Sequence, residues 1–343
     1  MTSDKRFITA LFFLSLISFV MKKIVVSAPG KIHLSGEHAV VYGKPAVVVS
    51  TSKRMYVTLE TSNSPAKNDD SQVVLSNLRR KDAYINEILK IIETKYKIPL
   101  SDSLLITINS DIVRSCGMGS SAALAVALIG AVLLYIGQPW NRQIINELAF
   151  QAEKFKHGNA SGSDPTIVTH GGLLWYRKEL DFLKTFWLLP FKIPKNFAPF
   201  LLINTGRVEN TGELVKAVRK RKELDKPGFT SLITRIEEVT RGMTGAIHDE
   251  DEIDFRDSIQ ENERLLEQLG VVSISVKQLV RKIESIGGVA KISGAGGIKS
   301  GSGVVLAVHE DPKVLMDISQ KFNFPYFQAI FGGEGVKIEQ IVT

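Results

Sequence analysis

Cysteine is nearly absent from this sequence. The single Cys116 can neither close an intramolecular disulfide nor build a thiolate metal site alone, and the scarcity points to a reducing compartment. Long apolar runs are missing too: residues 7–21 and 122–135 are uncharged and largely apolar, but each is shorter than the ~20 residues that span a bilayer. No charge sign dominates. Forty-three Lys+Arg against 36 Asp+Glu leave +7 over 343 residues, which suits a small anionic partner without calling for nucleic acid. The basic cluster Lys216, Arg219, Lys220, Arg221 and Lys222 has no interleaved aromatics and reads as a solvated helix face. Internal repeats and low-complexity tracts are lacking as well.

What is present is ordinary globular material, 44% hydrophobic and 23% charged, in a chain long enough for two domains at roughly 100–200 residues each. Short β-branched runs at residues 23–27, 46–50, 55–59, 104–108, 200–204 and 303–308 read as strands. Residues 82–96 carry apolar side chains at helical spacing, residues 122–135 read as a buried helix, and residues 141–155 as a third. Residues 61–72 are polar and read as an exposed loop, and residues 211–286 as helix-rich. Prolines and aromatics in residues 185–199 mark a domain boundary.

The sharpest local signal is Gly117-Met118-Gly119-Ser120-Ser121-Ala122, between a strand and the apolar helix. Glycines let backbone N–H groups crowd around an anion, and a helix N-terminus adds unpaired donors and its dipole. A Rossmann turn would sit at the first strand with an acid about 20 residues on; here the motif lies deep in the chain and the next acid is Glu147. The second glycine string, Gly294-Ala295-Gly296-Gly297-Ile298-Lys299-Ser300, fails the Walker A spacing and reads as a turn or a second loop over phosphates. Two more segments are polar and glycine-rich: residues 28–43, with Lys31, His33, Glu37 and His38, and residues 157–164, ending in Asp164. A cation, a carboxylate and glycine turns are the parts phosphoryl transfer requires, so the residues alone point to a nucleotide-dependent phosphotransferase.

Pro29-Gly30-Lys31, Gly117 to Ala122 and the late glycine string, in that order, resemble the GHMP kinase superfamily over residues 22–343. Gly36-Glu37-His38-Ala39-Val40-Val41-Tyr42-Gly43 and His157-Gly158-Asn159-Ala160-Ser161-Gly162-Ser163-Asp164 are similar to its mevalonate-phosphorylating branch. Two departures stand out: Val113-Arg114-Ser115-Cys116 replaces a proline-bearing approach to the central motif, and Ile298, Lys299 and Ser300 interrupt the late one.

The resemblance implies an α+β fold of two domains. Residues 22–190 would form an N-terminal α/β domain like ribosomal protein S5 domain 2, and residues 191–343 a C-terminal ferredoxin-like domain. It implies ATP-dependent phosphorylation of the primary hydroxyl of mevalonate, with another GHMP small-molecule kinase or a silent ligand sensor as alternatives. Asp164 would face the hydroxyl and Lys31 would stabilise it, while Glu37 and His38 would meet the acceptor. Gly117, Met118, Gly119, Ser120, Ser121 and Ala122 would cradle the triphosphate, supported by Gly294, Gly296 and Gly297. Ser121 and Glu153 would hold Mg²⁺, and His33 and His157 would be structural donors. Neither nucleic acid nor a membrane is expected as a partner, a homodimer is left open, and an ATP-dependent enzyme belongs in the cytoplasm. Residues 1–21 resemble a signal peptide without its small-x-small cleavage pattern, and are expected to be an N-terminal extension outside the fold.

Overall fold

The computed structural model describes residues 23–61, 72–74, 82–101, 104–113, 116–157, 160–180, 182–206 and 211–342. The expectations for residues 1–21, most of the loop at 61–72, Arg114, Ser115, Gly158 and Asn159 lie outside these. Strand β1 (Lys23–Ser35) is longer than its Val-rich opening predicts, because it runs on through the Pro29-Gly30-Lys31 segment with its last ten residues all buried. Strand β2 (Pro45–Thr61) likewise joins two predicted strands into one 17-residue element. It pairs with β1 along most of its length, with β4 (Leu104–Ser110) through its second half, and with β5 (Leu173–Lys178) through its first. Strand β3 (Gln72–Val74) extends the sheet beyond β4, and β6 (Lys184–Leu188) extends it beyond β5. Every pairing is antiparallel.

Helices cover this sheet. Helix α1 (Ala83–Tyr96) starts where Asp82 accepts hydrogen bonds from the Tyr84 and Ile85 amides, a side-chain N-cap. Helix α2 (Ser120–Tyr135) is apolar all round and buried from Ala122 to Leu134 except at half-buried Leu124, which is what a helix enclosed by other elements requires. It packs on β1 and β2 and against α1, α3 (Arg142–His157) and α4 (Ser163–His170). Its central position fixes where the glycine motif at its N-terminus points.

The second sheet contains β7 (Phe200–Asn204), β8 (Val289–Ser293), β9 (Val304–Val308) and β10 (Tyr326–Phe327) in the order β10-β7-β9-β8, all antiparallel. Between β7 and β8 run α5 (Thr211–Leu224), α6 (Lys226–His248), α7 (Glu252–Leu269) and α8 (Ile274–Glu284), and α9 (Pro312–Lys321) joins β9 to β10. A β-α-β-β-α-β path with this strand order is the ferredoxin-like arrangement, elaborated by extra helices.

Two features cross the sequence midpoint. The last strand, β11 (Lys337–Val342), pairs with β1 on the first sheet, so a cut at residue 190 assigns β11 to one half while its hydrogen bonds lie in the other. The larger apolar core also runs across both sheets, joining Ile24, Val57 and Ile129 to Met243, Phe255 and Leu306. Among the described residues no helix is long and apolar enough to cross a membrane.

Candidate active site

Successive residues of a strand point to opposite faces, so Lys31 and His33 leave β1 on one face while Ile32 and Leu34 are buried on the other. Both reach Asp164, in the first turn of α4. Lys31 Nζ lies 3.1 Å from Asp164 Oδ2, and His33 Nε2 lies 3.0 Å from Oδ1. The Lys31 side chain is 4% exposed and that of Asp164 25%, so the cation is enclosed while the carboxylate keeps an open edge. Burial alone would raise the Asp164 pKa, but Lys31 and His33 outweigh it and hold the carboxyl well below its usual range.

Glycines make this approach possible. At Gly119, φ is +74°, and a Cβ there would stand 2.8 Å from Lys31 Cγ, so the loop can cross the lysine stem only without a side chain. Gly162, with φ +91°, precedes α4, and a Cβ would stand 2.7 Å from the Tyr176 hydroxyl, which donates to the Ser161 carbonyl.

The two glycine strings meet at Lys31. The Lys31 amide donates to the Met118 carbonyl at 2.9 Å, the Val304 amide donates to the Cys116 carbonyl at 2.7 Å, and Gly294 packs beside Gly117. Gly119 caps α2 without a side-chain hydrogen bond, and the first amides of the helix, at Ser120, Ser121 and Ala122, have no intrahelical partner, the arrangement that suits an anion. Met118 and Ala122 are buried, so their side chains do not face solvent. Gly294 reaches this junction. Gly296 and Gly297 instead turn inward: the Gly297 amide donates to the Val271 carbonyl, and added Cβ atoms would collide with Val271 and Gly301. Gly296 and Gly297, expected to support the triphosphate, close a tight turn against Val271 and Gly301.

Glu153 on α3 is buried, with Oε2 lacking any hydrogen-bond partner. Burial, and then the negative charge of Asp164, push its pKa up to about 8, against the pull of Lys31, Lys184 and Lys156. Tyr84 links it to Ser121: the Tyr84 hydroxyl donates to the Ser121 carbonyl at 3.3 Å, and burial together with the Glu153 charge raises the Tyr84 pKa. A buried, unsatisfied carboxylate oxygen beside a helix N-terminus fits an Mg²⁺ ion, which takes one or two carboxylates and fills its shell with phosphate oxygens and water. Among the described residues no cluster of three His, Cys, Asp or Glu side chains would hold a metal unaided.

Glu37, expected at the acceptor, is held by an ion pair. Its carboxylate is buried against the Lys291 ammonium, which also donates to the carbonyls of His33 and Ile292. His38, at φ 59°, is buried, and its Nε2 lies 3.0 Å from the Ala295 carbonyl, with burial lowering its pKa. Both therefore tie the first sheet to the β8 glycine loop. His33, expected as a structural donor, meets Asp164, a partner the sequence did not disclose, since a lone histidine on a strand carries no spacing signal.

Residues 83–172 match the family model "GHMP kinases N terminal domain", a stretch that holds Gly117 to Ala122, Glu153 and Asp164. The mevalonate kinase of Thermococcus sibiricus is 32% identical over 345 residues, covering 93% of this chain and 99% of that protein. The chain belongs to the mevalonate kinase family. The fold agrees: the Methanococcus jannaschii mevalonate kinase superposes with a TM-score of 0.72 at 23% identity, over 92% of this chain and 98% of that one. L. major mevalonate kinase in complex with R-mevalonate gives 0.71 at 24% identity, over 86% and 90%.

Proposed function

We propose that this chain transfers the γ-phosphoryl group of ATP to the primary hydroxyl of mevalonate, giving 5-phosphomevalonate. The observation that carries the reading is the Asp164 carboxylate, gripped by Lys31 at 3.1 Å beside an uncapped helix N-terminus and left partly open to the cleft. The cleft would lie between residues 22–190 and 191–343, with β11 returning to the first half.

The α2 N-terminal amides and the Gly117 to Ser121 loop would hold the triphosphate, with Gly294 beside them. Asp164 would accept the acceptor's hydroxyl hydrogen and aim the oxygen at the γ-phosphorus. As the new P–O bond forms and the bond to the β-phosphate oxygen breaks, the proton passes to Asp164. A carboxylate held this low is a weak base, so the proton moves late, which suits a loose phosphoryl-transfer transition state. Lys31 would stabilise the negative charge gathering on the attacking oxygen. Glu153 and Ser121 would hold Mg²⁺, which when bound neutralises phosphate charge.

Purified chain, assayed for ADP release with mevalonate, phosphomevalonate, homoserine and galactose, tests the reading. Release with mevalonate above all others is expected; a preference for another acceptor would refute it.

A further inference from the structure

We propose that His33 is a positioning residue for phosphoryl transfer, fixing the Asp164 carboxylate through the oxygen that Lys31 does not hold. The inference rests on the reading of this site as a mevalonate-phosphorylating one. Lys31 takes Oδ2 at 3.1 Å and His33 Nε2 takes Oδ1 at 3.0 Å, so the carboxylate is held at both ends by two residues of one strand face. Asp164 is held ionised and can only accept, which makes His33 Nε2 the donor.

Among the described residues Asp164 is the hydrogen-bond partner that orients the ring. Its side chain is 7% exposed, Nδ1 has no partner, and its hydrogen bond goes to Asp164. Burying an imidazole with one nitrogen unsatisfied is unfavourable, and an aliphatic side chain would fill the same place without that cost. The backbone beneath is pinned from β8: the His33 amide donates to Ser293 Oγ at 2.9 Å, and its carbonyl accepts from Lys291 Nζ at 3.4 Å. Ser293 directly precedes Gly294, so the same contacts tie the carboxylate's direction to the late glycine loop.

Without His33, Oδ1 keeps only the long hydrogen bond donated by Ser163 Oγ at 3.4 Å, so the carboxylate can swing about its terminal torsion, and the lone pair meant for the hydroxyl then points elsewhere for part of the time. Misdirection of this kind lowers turnover while leaving substrate binding alone. The test compares wild type, His33→Leu and His33→Gln in steady-state ADP release, with the dissociation constant of a fluorescent ATP analogue as the check on folding. His33→Leu is expected to lower kcat about 10- to 100-fold with both KM values within about twofold. His33→Gln, whose amide N–H reaches the same region, is expected to restore most of the loss. A Leu variant within about threefold of wild-type kcat, a Gln variant no better than Leu, or a defect confined to KM would overturn the proposal. If His33→Leu does not fold, His33→Asn, polar but too short to reach Asp164, takes its place. If wild type ignores mevalonate, the functional reading falls, and the variants are compared on whichever of phosphomevalonate, homoserine or galactose it phosphorylates. Inertness toward all four would sink both.

Discussion

Lys291 and Glu37, 254 residues apart, form an ion pair whose side chains are 0% and 1% exposed. The pair joins β8 to the turn after β1, and with the Ser35, Thr240 and Asn262 hydrogen bonds it makes a buried polar seam beneath the cleft. Taking two charges out of water costs nearly what their attraction returns, so the pair is better understood as fixing register between the sheets than as a large net stabiliser.

Breaking one side of that pair leaves an uncompensated buried charge. Lys291→Met is expected to cost about 3–5 kcal/mol in urea unfolding, and adding Glu37→Leu to recover a substantial part of it. A double variant no more stable than the single one would show that the seam is not held by this pair.

Gly119 gives a second prediction. Gly119→Ala adds a methyl group 2.8 Å from Lys31 Cγ at a φ of +74°, so both the loop and the lysine must shift. A displacement near 1 Å at a reacting group costs on the order of 100-fold in rate, and kcat should fall by about that much while the protein remains folded. Unchanged kcat would mean that the Lys31 stem is free to move aside.

The raised Glu153 pKa sets a pH dependence. Its carboxyl ionises near 4.5 as a free side chain and near 8 when folded, so between those values the folded chain holds a proton that the unfolded chain has released. Metal-free stability therefore falls as pH climbs from 4.5 toward 8 and then levels. Glu263, also buried and raised to about 8, contributes to the same slope. Mg²⁺ with a non-hydrolysable ATP analogue should offset the Glu153 part alone, raising Tm more at pH 8 than at pH 6 by on the order of 2–4 °C. The difference should vanish in Glu153→Gln and survive in Glu263→Gln; the opposite pattern would move the metal away from Glu153.

Much of this site was legible because its chemistry is local in sequence. The glycine string at 117–122, the polar run ending in Asp164 and the Lys31 segment each carry their composition within a few residues, and their order supplied the family. The partner of Glu37 was not legible, since Lys291 lies 254 residues away and spacing says nothing about such pairs. Strand β11 went unread for a related reason: Ile338, Ile341 and Val342 are partly exposed, so no strong apolar run marks it, and its partner is β1 at the far end of the chain. The turn that Gly296 and Gly297 close was not legible either, because glycine serves a tight turn and a phosphate cradle equally well, and the Val271 contact comes from outside the motif.

In the mechanism proposed above, Asp164, held by Lys31, directs phosphoryl transfer from ATP to mevalonate. Phosphorus NMR of the reaction products, run on wild type and Asp164→Asn at equal concentration with ATP, Mg²⁺ and mevalonate, tests it most directly. A phosphomonoester signal from 5-phosphomevalonate is expected with wild type, and a rate of its appearance lowered at least about 1,000-fold in Asp164→Asn with nucleotide binding intact. The same signal at near wild-type rate from Asp164→Asn, or none from wild type, would contradict it.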